Sequence, residues 1–78
     1  MKNYKLTAVI WKEKDGYVSN CPELGVASCG DSAEDALKNL REAVELYLEN
    51  AKELDMLDEV EEAITASGKL TTSFEVAL

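Results

Sequence analysis

The sequence contains no histidine, which removes the commonest general base and every Ser-His or Cys-His nucleophile pair. Basic residues are scarce as well: eight Lys and Arg against sixteen Asp and Glu give a net charge of -8. A field of that sign repels phosphates and offers no basic stripe for counterion release, so direct binding to nucleic acid is not expected. No apolar run approaches the roughly 20 residues of a membrane span. The two cysteines, with no histidine beside them, fall short of the four nitrogen or sulfur ligands of a structural zinc site. Gly25 and Gly30 flank a strand rather than opening a helix, so no phosphate-binding loop is present. Neither a cofactor nor a metal is expected. Cys21 precedes Pro22 without a basic neighbour, and Glu23 would raise its pKa, so a reactive thiolate is not expected either.

What is there is ordinary for a folded chain. Hydrophobic residues make up 46% and charged residues 31% of 78 positions, which argues for a single globular domain over 1–78 rather than disorder. A chain this short buries only about 60% of its unfolded surface. Help from a second copy is therefore expected, as a homodimer or larger assembly. The N-terminal Met1-Lys2-Asn3-Tyr4-Lys5 passes at once into strand-like alternation, without an apolar core or a small-residue cleavage site. A cytoplasmic protein is the expectation, and in that reducing compartment Cys21 and Cys29 should be free, buried thiols.

From Tyr4, alternation places Tyr4, Leu6, Ala8 and Ile10 on one face and Lys5, Thr7, Val9 and Trp11 on the other, which predicts a first strand. Asp15-Gly16 is a hairpin signal, because both residues take positive φ at low cost. Tyr17 to Cys21 is the second strand, and Pro22, lacking a backbone donor, ends its pairing. Val26 to Cys29 makes a short third strand, completing an antiparallel meander. Asp31 and Ser32 are both good N-caps with an acid three residues on. Behind them Ala36, Leu37, Leu40, Val44, Leu48 and Ala51 recur at helical spacing, predicting a helix from Ser32 to Leu54. Asp58 to Ile64 predicts a short second helix, capped by Asp58 and stopped near Gly68. Leu70, Thr72, Phe74, Val76 and Leu78 alternate with polar or small residues, predicting a fourth strand. The right-handed crossover rule then sets that strand parallel to the first, in the order 3-2-1-4. The fold class is α+β.

Three segments, Asp15-Gly16-Tyr17-Val18, Cys21-Pro22-Glu23-Leu24 and Gly30-Asp31-Ser32-Ala33-Glu34-Asp35-Ala36-Leu37, together resemble the HicB family of antitoxins. They carry its D-G-Y-V hairpin and match its G-D-T-x-E-E-A helix start, with Cys21-Pro22-Glu23-Leu24 in place of its usual V-P-D-L, over the first two thirds of the chain. The resemblance implies a partial ribonuclease H-like fold with the strand order 3-2-1-4. It also implies the partner, a small basic HicA-like toxin that cleaves messenger RNA, and the mechanism, occlusion of that toxin's RNA surface. Family members often append a DNA-binding module; this chain has none after the fourth strand, so operator binding is not expected of it. No catalytic residue of the family is available to carry over. A ribonuclease H-like sheet could host a two-metal nuclease, but the centre of the first strand holds only apolar residues and Thr7, and Glu75 falls on the face opposite Phe74. An enzyme is not expected. Tyr4, Trp11 and Tyr17 are the candidate partner-binding residues, because Trp and Tyr are over-represented at interface hot spots. The alternative is a protein-interaction module with no toxin partner.

Overall fold

The computed structural model describes residues 3–66 and 72–78. Three strands, β1 (Val9–Glu13), β2 (Gly16–Cys21) and β3 (Val26–Gly30), form an antiparallel sheet in the order β1-β2-β3. The first strand begins later than its alternation suggests, since residues 3–8 carry no ladder although Tyr4 and Leu6 are still turned inward. Lys14 and Asp15 form the hairpin turn, and Glu13 pairs with Gly16. The turn thus lies one residue earlier than expected, and among its residues only Gly16, at the start of β2, takes positive φ. After Cys21 the chain folds back sharply, with the N–H groups of Leu24 and Gly25 both donating to the Cys21 carbonyl.

Register assigns the two faces. Ile10, Ser19 and Ser28 are cross-strand neighbours, as are Cys21 and Val26, and this is the face that meets the long helix α1 (Ala33–Glu53). Ser19 is fully buried there, and its hydroxyl donates to the Ala36 carbonyl at 2.8 Å. Ala36, Leu40 and Ala51 are the buried residues of the helix; the small side chains let its backbone approach the sheet. Approach is closest at Gly30, where an added Cβ would stand 2.5 Å from the Ala36 nitrogen. The Asn39 amide fixes the same junction by donating to the Cys29 carbonyl at 2.8 Å. Of the two predicted N-caps, Ser32 serves: its hydroxyl accepts from the Asp35 N–H at 3.1 Å, satisfying one of the donors a helix start leaves over.

The helix ends in a Schellman arrangement. The Asp55 N–H donates to Lys52 and the Met56 N–H to Ala51, with Asp55 in the left-handed region at φ 57. The chain then turns into α2 (Leu57–Ala66). Asp58 lies inside its first turn rather than at the cap, so its charge faces the helix start without closing a capping box; Gly68 lies outside the described residues. Buried Val60, with Leu57 and Ile64 half-buried, packs α2 on α1. No helix among the described residues is long and apolar enough to cross a membrane.

Among the described residues, the alternation expected to make a fourth strand is not paired with the sheet. Residues 72–78 carry no strand, with Phe74 85% and Val76 71% exposed; Leu70 lies outside the described residues. Period-two alternation specifies two faces of an extended segment but not the edge it joins. The described sheet therefore has three strands, and the order 3-2-1-4 is not seen in it.

Candidate protein-interaction surface

The helix covers one face of the sheet, and α2 packs on α1 rather than on the strands. The other face has no layer over it among the described elements. Register sets Trp11 beside Val18 and Val18 beside Cys29, with Val9 opposite Asn20 and Asn20 opposite Ala27. The result is an apolar band across three strands, in which Trp11 is 41% and Val9 36% exposed. Glu13 lies at its border and accepts from the Trp11 indole N–H at 2.8 Å. The contact holds the ring in one orientation while its face stays open to a partner. A rigid aromatic with a satisfied polar tip, set among apolar neighbours, is the composition of an interface anchor.

The three candidate aromatics are not brought together. Trp11 is on the open face. Tyr17 pairs with Lys12 and Gly30 on the helix side of the sheet and is half-buried. Tyr4 is tied down elsewhere, its hydroxyl donating to Glu61 of α2. The cysteines are separated too: Cys21 is buried under the helix, whereas Cys29 is exposed on the open face, contrary to the expectation of two buried thiols. Both are free. The turn at Pro22 to Gly25 makes the strands antiparallel with Cys21 opposite Val26, and that register separates them.

Glu23 has a role that sequence reasoning missed. Its carboxylate accepts from the Thr7 N–H at 3.1 Å to each oxygen and from the Thr7 hydroxyl at 2.7 Å, so a turn residue fastens the unpaired stretch before β1. Burial alone would push this carboxyl up, but the bonds from the Thr7 hydroxyl and from the backbone N–H groups of Glu23 and Thr7 together carry it below its usual value. Cys21 shifts the other way: burial pushes its thiol up, and the Glu23 charge adds to that. The thiol donates to Glu23 at 3.6 Å. A thiol held protonated is a poor nucleophile. Among the described residues no group of three or more Cys, Asp or Glu could hold a metal ion.

A second feature adjoins this stretch. Between residues 3–8 and α1 lies an open groove of about 470 Å³, walled by Leu6, Leu37, Leu40, Val44 and Leu48 with Arg41 at its rim. Leu37 remains 43% exposed in it.

Comparison with known proteins finds relatives without an assigned activity. A family model described as "Family of unknown function (DUF7387)" matches residues 3–69. A UPF0150 protein of Synechocystis sp. is 47% identical over 49 residues, 60% of this chain and 62% of the relative. A UPF0150 protein of Helicobacter pylori is 50% identical over 44 residues, 55% of this chain and 61% of the relative. One from Thermoplasma acidophilum is 42% identical over 50 residues, 62% of this chain and 72% of the relative. The chain thus spans about three fifths of the first two. No solved structure gives a significant match.

Proposed function

Because the chain belongs to the DUF7387 family of unknown function, whose description assigns no activity, we propose its role from surface and charge: it is a protein-binding inhibitor of a small basic, RNA-cleaving partner. The observation that carries this reading is the uncovered apolar sheet face centred on Trp11, in a molecule of net charge -8. Apolar contact supplies the affinity and the opposite fields of the two proteins speed their encounter. The resemblance at Asp15 to Leu37 to HicB antitoxins supplies the class of partner, a HicA-like toxin, and the mode of action, occlusion of its RNA surface. In this proposal the inhibitor acts in the cytoplasm as a homo-oligomer. Its sheet is completed by a fourth strand along the β1 edge, parallel to β1, giving the partial ribonuclease H-like arrangement.

The test is co-expression with the small basic protein encoded beside this gene, scoring growth and messenger RNA integrity. Toxicity of that protein alone, relief by the wild-type chain, and loss of relief with Trp11→Ala or Val18→Asp are expected. Association should slow with added salt, since steering is screened over about 10 Å at 0.1 M ionic strength. A harmless neighbour, or one still toxic with this chain bound, refutes the proposal. The second reading, an interaction module without a toxin, is favoured by the residues that remain exposed in the single copy, Phe74 and Val76 above all.

A further inference from the structure

We propose that the missing strand is exchanged between two copies: residues 72–78 of one chain lie along the outer edge of residues 3–13 of the other and seat Phe74, Val76 and Leu78 in its groove beside α1. This rests on the four-stranded sheet proposed above but not on toxin inhibition.

Three observations carry it. First, β1 is an edge strand whose outer side pairs with nothing among the described residues, and an open edge invites an added strand. Second, the groove has the shape of a vacant strand position. It lies beside the N-terminal continuation of that edge and runs along α1 from Leu37 to Leu48, roughly 16 Å at helical rise. Phe74, Val76 and Leu78 share one face of an extended segment and span about 14 Å. The walls facing them would be Leu6, Leu37, Leu40, Val44 and Leu48, all apolar. Arg41 and Glu45 are the two charged residues of the lining, one of each sign, and Glu75, on the face of the segment opposite Phe74, points away from the apolar walls.

Third, the donor and the acceptor are both unsatisfied in the same molecule. Every residue of 72–78 is exposed while the groove stands open, so within the described single copy neither surface covers the other. Reciprocal exchange occupies both grooves and closes on a twofold axis, leaving no free copy of either surface. The two partners each carry -8, so added salt should strengthen this association, opposite to its effect on binding a basic partner.

The experiment uses the full chain. Sedimentation velocity should show a dimer that tightens with salt, and Phe74→Ser with Val76→Ser should weaken it about a hundredfold or more, as the loss of two buried apolar side chains from each copy implies. Both positions are exposed in the single chain, so the variant should keep its circular dichroism. On a Cys29→Ser background, a Val44→Cys chain mixed with a Val76→Cys chain should form a disulfide between chains. A wild-type monomer, or a dimer indifferent to the double substitution, overturns the proposal. If a chain carrying both cysteines closes the disulfide on itself at high dilution, exchange is wrong and the four-stranded sheet stands. Absence of any such disulfide overturns both. Growth rescue by the double variant reports separately on inhibition.

Discussion

Replacing Gly30 by alanine probes the joint between β3 and α1, on which the packing of the helix depends. An added Cβ would stand 2.5 Å from the Ala36 nitrogen and 2.7 Å from both the carbonyl carbon and the Cβ of Asp35. All three are backbone or backbone-attached atoms of the first helical turn, so no side-chain rotation relieves the contact. The turn must retreat by about 1 Å to reach ordinary van der Waals separation. That movement stretches the Ser19 to Ala36 bond, now 2.8 Å, and the Asn39 to Cys29 bond, also 2.8 Å. Overpacking of this kind costs about 1–3 kcal/mol, and weakening two hydrogen bonds adds about 1 kcal/mol. A total of about 2–4 kcal/mol lowers the melting temperature of a domain this size by at least about 10 °C. Gly25→Ala is the control: Gly25 sits at φ 68 with nothing within 4 Å of a built Cβ, so it should lose only about 1–2 kcal/mol for the left-handed backbone. Urea denaturation of the two variants separates steric from conformational cost. A Gly30→Ala protein within about 0.5 kcal/mol of wild type would refute the close approach of helix to sheet.

Asp55→Gly should stabilise the domain by about 0.5–1 kcal/mol, because glycine takes the left-handed position at the end of α1 without strain and a carboxylate leaves the negative end of the helix; a lower urea midpoint would contradict the Schellman geometry. Acid titration tests Glu23. Its carboxyl is lowered in the folded chain, so its contribution is present above the unfolded pKa and is lost as pH falls through the folded one. The melting temperature should therefore fall below about pH 4, and Glu23→Gln should flatten that acid limb; an unchanged limb would detach Glu23 from the Thr7 stretch.

Much of this was legible in the residues. The long helix is marked at both ends and along its length: Ser32 caps it, the apolar stripe persists to Ala51, and the structure ends it at Glu53. The second strand was legible as Tyr17 to Cys21, and the structure runs it from Gly16 to Cys21 with Ser19 and Cys21 buried. Alternation put Tyr4 and Leu6 on one face, and both are half-buried, yet it is blind to hydrogen bonding, so it extended the first strand over a stretch that Glu23 holds at Thr7 instead. It is equally silent on which edge the alternation from Leu70 to Leu78 would join, and residues 72–78 carry no ladder in the described copy. The open face was within reach: Trp11, Val18 and Cys29 become neighbours once the hairpin register is known. A turn displaced by one residue was enough to hide that register. Asp55 carried no signal, because its left-handed backbone is imposed by helix meeting helix rather than by its own preference.

The separation of the two thiols across the sheet has a practical consequence. Cys29 is exposed and Cys21 is buried, so a dye with a thiol-reactive group will attach at one position of the unaltered protein. Trp11 lies two strands away across Val18, about 10 Å at the usual strand spacing. The molecule thus contains a natural donor and acceptor attachment pair on the surface where a partner is proposed to bind. Energy transfer between them would report occupancy of that surface in real time, without a single engineered residue.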